Sequence, residues 1–188
     1  MLSRQHAPFI LILSGPSGAG KTTLSNAVIS AIADTTTAVS HTTRQPRPGE
    51  TDGKDYHYVD KPSFLALRDN GEMLEYAEVY GNFYGTSQSS VAALLEQGKN
   101  VILDIDWQGA RKMKSLYPNA ISVYILPPDK EESKNRLIAR QQDSAEIINS
   151  RMSTYKEQES HQQEYDHTIV NDKLSDAIDQ LLKIIHNG

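Results

Sequence analysis

The chain has 188 residues, 38% of them hydrophobic, with a formal net charge of −5 and no cysteine. This length suits one compact domain with embedded subdomains. The acidic balance argues against general nucleic-acid binding, and the missing cysteines exclude disulfides and Cys-ligated metal sites.

The first element is an apolar run at 9–13, as in a strand buried on both faces. It is too short for a signal-peptide core or a membrane span, so the cytoplasm is the expected compartment, with no membrane partner. Gly15-Pro16-Ser17-Gly18-Ala19-Gly20-Lys21-Thr22 follows, matching G-x-x-x-x-G-K-[ST] between a strand and a helix. Its glycines let backbone N–H groups face one anion, and the helix N-terminus adds positive potential. Lys21 can bridge the β- and γ-phosphates, and the Thr22 hydroxyl can ligate magnesium. The loop alone specifies a nucleoside triphosphate and no acceptor. Apolar residues at helical spacing extend the helix over 22–33.

Residues 39–85 break the pattern, being rich in Thr, Tyr, Gly and Pro. Strand-like pieces at 56–59 and 73–80, and a short helix opened by Pro62-Ser63, predict a small mixed insert. Ser40-His-Thr-Thr-Arg44-Gln-Pro-Arg47-Pro-Gly-Glu places two arginines among hydroxyls and turn formers. Such arginines hold phosphate by forked hydrogen bonds, and rigid turns reduce the entropy lost on binding. Tyr56, Tyr84 and Thr86 stand in segments that read as glycine-rich turns, and Glu75 sits among apolar neighbours. A carboxylate suits the N1–H and N2–H donors of guanine, and a hydroxyl such as Ser40 or Thr86 suits O6. Adenine has an acceptor at N1, which Glu75 would repel. Taken singly, Tyr56 and Tyr84 also fit as core residues, and Glu75 as a solvated strand residue.

Further on, 88–97 reads as a helix closed by Gly98, 101–105 as a buried strand, 108–116 as a helix and 121–126 as a strand. Asp104 and Asp106 stand at the C-terminal end of the middle strand on one expected face, where ligands collect in α/β sheets. Either can serve magnesium, directly or through water, or cap the following helix. Residues 129–161 are polar and helical, carry Arg136, Arg140 and Arg151, and break at 141–144. There Asp143 and Glu146 resemble a capping box, and two arms joined at a tip suggest a mobile lid. Ile169-Val170 marks a last short strand. Strands alternating with helices predict a parallel sheet covered on both faces.

From residue 10 to about 182 the chain resembles bacterial-type guanylate kinases. The motifs that carry the resemblance are GPSGAGKTT, SHTTRQPRPGE, DGKDYHYV, YGNFYGTS, VILDIDWQGA, the lid arginines and IVND. The resemblance implies an α/β P-loop kinase fold in three parts. These are a core (1–38, 86–128, 162–188), a GMP-binding insert (39–85) and a helical lid (129–161). It implies magnesium-dependent transfer of the terminal phosphoryl group of ATP to GMP. Ser40, Arg44, Arg47, Tyr56, Glu75, Tyr84, Thr86 and Asp104 would line the GMP site. Lys21, Arg136, Arg140 and Arg151 would surround the transferring group, and Asn171 would lie near adenine. One departure is visible: where the family commonly has R-G-x-D, Gln141 follows Arg140. Two other readings use the same fold: a binding module that has lost the chemistry, and a kinase for another phosphorylated acceptor. The first would lack a working P-loop, and the second the set Ser40, Glu75 and Thr86.

Overall fold

The computed structural model describes residues 7–187; residues 1–6 and 188, the ends of the expected core, lie outside them. A five-stranded parallel sheet forms the centre. Its strands are β1 (Ile10–Ser14), β2 (Thr35–Thr37), β7 (Asn100–Asp104), β8 (Ile121–Leu126) and β9 (His167–Val170), in the order β2-β7-β1-β8-β9. Alternation along β1 feeds two cores. Leu11 and Leu13 face α1 (Lys21–Ala31) and α8 (Leu174–Asn187), meeting Leu24, Val28 and Leu181. Ile10 and Ile12 face the other way, joining Val91 of α3 (Gln88–Glu96) and Ala110 and Met113 of α4 (Trp107–Leu116). This two-sided burial is why β1 reads as an unbroken apolar run.

The second sheet is mixed, in the order β4-β3-β6-β5, built from β3 (His41–Thr42), β4 (His57–Tyr58), β5 (Met73–Val79) and β6 (Asn82–Ser87). The segment 82–87, expected as turns, is thus a strand, antiparallel to β5 around Tyr80-Gly81. Both turn residues have positive φ, 51° and 75°, which suits a tight hairpin. Beside it lies α2 (Lys61–Asp69), N-capped by Asp60, with buried Phe64 stacked on Phe83 at 5.4 Å.

Three helices follow β8: α5 (Lys130–Arg140), α6 (Ala145–Ser153) and α7 (Tyr155–Ser160). Leu137, Ile148, Met152 and Tyr155 give them a small core of their own. The capping box expected from Asp143 and Glu146 does not form. Ser144 caps α6 instead, accepting from the Ile147 N–H, because the Asp143 carboxylate is taken by arginines. The C-terminal α8 was not anticipated, although Ala177, Leu181 and Ile185 recur at intervals of four and are buried.

Candidate active site

After β1 the chain runs through α1 to β2 at one edge of the sheet, whereas after β7 it runs through α4 to β8 on the far side of β1. The C-terminal ends of β1 and β7, adjacent at the Leu13–Asp104 register, therefore open into a crevice at a change of strand order. Gly15 turns there with φ 147°, and a Cβ on it would come within 2.0 Å of the Ile125 carbonyl oxygen. No other residue type lets the loop pass this close to β8. The loop is braced from behind. Asn171 is buried and donates to the Ala19 carbonyl at 2.8 Å, and the Ser133 hydroxyl of α5 donates to the Ser17 carbonyl.

Helices α2 to α6 each begin with a side-chain oxygen that accepts a first-turn N–H. By contrast α1 begins at left-handed Gly20 with no side-chain cap and no acidic residue in its first turn. Its free N–H groups and positive end are thus turned to the crevice. Lys21 donates to the Gly15 carbonyl at 2.9 Å and lies 3.8 Å from Asp104. Burial pushes the Asp104 carboxyl up, while Lys21 and Arg140 pull it down. Thr22 and Asp104 both line the crevice.

Asp104 ends β7, but Asp106 lies beyond the strand, so the two carboxylates do not share a strand face as expected. Asp106 caps α4, accepting from Gly109 N–H at 3.0 Å and from Gln108 at 2.9 Å. Both residues line the same cavity.

Across the crevice the second sheet presents Ser40, Arg44, Arg47, Tyr56, Glu75 and Tyr84. Ser40 and Thr86 exchange a hydroxyl hydrogen bond at 3.0 Å. Glu75 is only 4% exposed and faces Thr86 at an irregularity in the β5–β6 register. Burial lifts its carboxyl to about 7; hydrogen bonds from Thr86 oppose this, and the charge of Asp106 adds to it. A Cβ on Gly109 would fall 2.4 Å from Glu75 Oε2, so the backbone of α4 walls the carboxylate in.

Arg44 forms a two-pronged pair with Glu50, both contacts at 2.9 Å, with its guanidinium 5.4 Å from the Tyr56 ring centre. Burial opposes the ionised form of Glu50, but hydrogen bonds from Arg44, the Arg47 N–H and Tyr58 outweigh it and hold the carboxyl at about 2. Tyr56 meets Tyr84 edge-on at 6.0 Å. Arg140 and Arg151 also line the cavity. Arg136 instead reaches behind the phosphate loop, donating to the Asn171 carbonyl at 3.0 Å and to Glu132 at 2.8 Å.

Tyr80 lines this cavity, and Glu50, Tyr58 and Asp143 stand against its arginines; the sequence reading assigned none of the four to the site. Glu50 is visible in hindsight as a carboxylate three and six residues after the two arginines. Tyr80 accepts from Gln158 at 2.7 Å and lies under Arg151, with 5.6 Å from guanidinium to ring centre. Nothing local in the sequence announces that pairing.

A P-loop opening a helix beneath a parallel sheet, faced by a second sheet that carries arginines, tyrosines and a buried carboxylate, defines a nucleotide-dependent phosphotransferase. The guanylate kinase family model matches residues 8–188, and the chain belongs to that family. It is 50% identical to a guanylate kinase of Alkalilimnicola ehrlichii over 93% of this chain and 86% of the relative. It is 46% identical to that of Methylobacillus flagellatus over 95% and 88%. The crystal structure of guanylate kinase from Anaplasma phagocytophilum superposes with a TM-score of 0.78 at 35% identity, covering 96% of this chain and 86% of that one.

Proposed function

We propose that this chain transfers the terminal phosphoryl group of ATP to GMP, acting as a soluble enzyme of the cytoplasm. The observation that carries the reading is a buried carboxylate, Glu75, opposite an uncapped phosphate loop. ATP lies on the loop Gly15, Pro16, Ser17, Gly18, Ala19, Gly20, with Asn171 and Arg136 supporting the donor side. GMP lies on the second sheet. Its base meets Glu75, Ser40 and Thr86, and its phosphate meets Arg44, Arg47, Tyr56 and Tyr84.

The attacking oxygen of GMP is already anionic near neutrality, so no strong general base is needed. Catalysis then requires alignment and positive charge. Lys21, Arg140 and Arg151 surround the moving group, and the second sheet and the three helices after β8 exclude water. Among the described residues no three His, Cys, Asp or Glu side chains cluster as a metal cage. Magnesium held mainly by phosphates and waters would need only one or two protein oxygens, which Thr22 and Asp104, both lining the cavity, would offer. Asp106, already a helix cap, would contribute through water. When bound, magnesium offsets charge on the β- and γ-phosphate oxygens.

A coupled assay with GMP, AMP and no acceptor tests the proposal. GMP-dependent ADP release is expected, and equal rates with AMP or buffer would overturn it. Lys21→Ala should abolish transfer without changing the circular dichroism spectrum. Wild-type turnover by that folded variant would remove the P-loop from the mechanism.

A further inference from the structure

Asp143 stands between α5 and α6, and its side chain is only 9% exposed. It caps neither helix. Its Oδ1 accepts from Arg47 Nη2 at 2.8 Å and Nε at 3.1 Å, and its Oδ2 lies 3.3 Å from Arg151 Nη1. One carboxylate therefore ties an arginine of the second sheet to an arginine of the helices after β8, across the mouth of the cleft. Two guanidiniums brought this close repel each other. Burial depresses the proton affinity of Arg151, Arg47 depresses it further, and Asp143 opposes both.

The donors left over are informative. Asp143 occupies the Nε–Nη2 edge of Arg47 and leaves Nη1 without a hydrogen bond, 3.9 Å from Glu50. On Arg151 the buried Nε–H has no hydrogen-bond partner among the described residues. Both arginines line the cavity. Arg47 is thus held by one edge and keeps Nη1 for a ligand oxygen, while Arg151, its Nε buried and its Nη1 on Asp143, is fixed in place as a charge lining the cavity. A guanidinium fixed in this way loses less freedom when it binds phosphate.

We infer that Asp143 is a positioning residue for phosphoryl transfer, holding Arg47 on the acceptor phosphate and Arg151 on the transferring group through one shared carboxylate. The inference rests on the roles proposed for those two arginines. Asp143→Asn keeps the size and removes the charge that balances two cations. Because it leaves two partly buried guanidiniums unbalanced, the variant is expected to melt a few degrees below the wild type, so its kinetics are read well below the transition, where circular dichroism shows it folded. With ATP and magnesium present, the KM for GMP should rise tenfold or more and kcat should fall at least tenfold, while the KM for ATP changes less than threefold.

The control is the same substitution beside Arg47→Ala. If Asp143 acts on GMP through Arg47, Asp143→Asn adds less than twofold to the GMP KM in that background. A full tenfold penalty there would overturn the inference. So would an unchanged or lowered GMP KM in the single variant, which would make Asp143 a spectator or a competitor of phosphate. If Arg47→Ala and Arg151→Ala themselves keep wild-type kinetics, the proposed arginine roles fail, and the inference with them. If those variants are impaired and Asp143→Asn is not, only the inference fails.

Discussion

Glu75 shows how a single side chain joins specificity to pH. In the ligand-free protein its carboxyl titrates near 7, driven first by burial. Guanine offers two N–H donors and therefore needs the ionised form. GMP affinity should fall as pH drops through about 7, and isothermal titration at pH 6 and pH 8 would measure it. Glu75→Gln should flatten that dependence and lower kcat/KM for GMP by roughly tenfold or more, since about 1.4 kcal/mol is a factor of ten. Stability carries the opposite sign. A carboxyl whose folded pKa lies above its ordinary 4.5 stabilises the fold below about 4.5, and that contribution is lost as pH rises through about 7. Melting temperatures of wild type minus Gln variant should therefore fall between pH 5 and pH 8. The sequence made Glu75 legible as a carboxylate among apolar neighbours. It did not make Asp143 or Glu50 legible, because their meaning lies in partners rather than in pattern: Arg47 and Asp143 are 96 residues apart.

At the scale of elements, the strands read best were those buried on both faces, where an apolar run is the whole signal. The two-residue strand β3 and the polar edge strand β2 carry no such run, whereas β4 falls within the strand-like piece at 56–59. In β6, Asn82 and Gly85 imitate a turn while the hydrogen bonds to β5 hold it extended. Local chemistry misled again between α5 and α6, where the acidic residue expected to cap a helix is instead held by two arginines. The same segment contains Gln141, which ends α5 in the left-handed region at φ 52°. A side chain there costs roughly 1–2 kcal/mol, and glycine returns part of the gain as extra freedom of the unfolded chain. Gln141→Gly should therefore stabilise the protein by about 1 kcal/mol net, raising the melting temperature by about 2–4 °C. A lower melting temperature would show that the Gln141 side chain makes a contribution that its backbone strain conceals.

Over the whole molecule, the phosphate loop depends on packing remote from any ligand. The loop ends in α1, α1 packs on α8, and Leu181 is fully buried between them. Leu181→Ala should cost about 2–5 kcal/mol through lost burial and a residual cavity. Chemical denaturation would read this as a lower midpoint with an unchanged slope. Turnover at low temperature should persist, because no cleft residue is touched.

The position of β1 has a further consequence, for synthesis on the ribosome. Ile10 pairs with Val101 and Leu11 with Ile121, so β1 is the first strand made and gains neighbours only once β7 and β8 have followed. Until the chain has emerged past β7, this strand has both edges bare and an apolar face on either side, the features that promote joining to other chains. Translation that pauses between β2 and β7 should therefore be the most hazardous for this protein. A chaperone that shields residues 9–14 would protect it for just that interval, and the nucleotide site cannot form before β8 closes over the Gly15 turn.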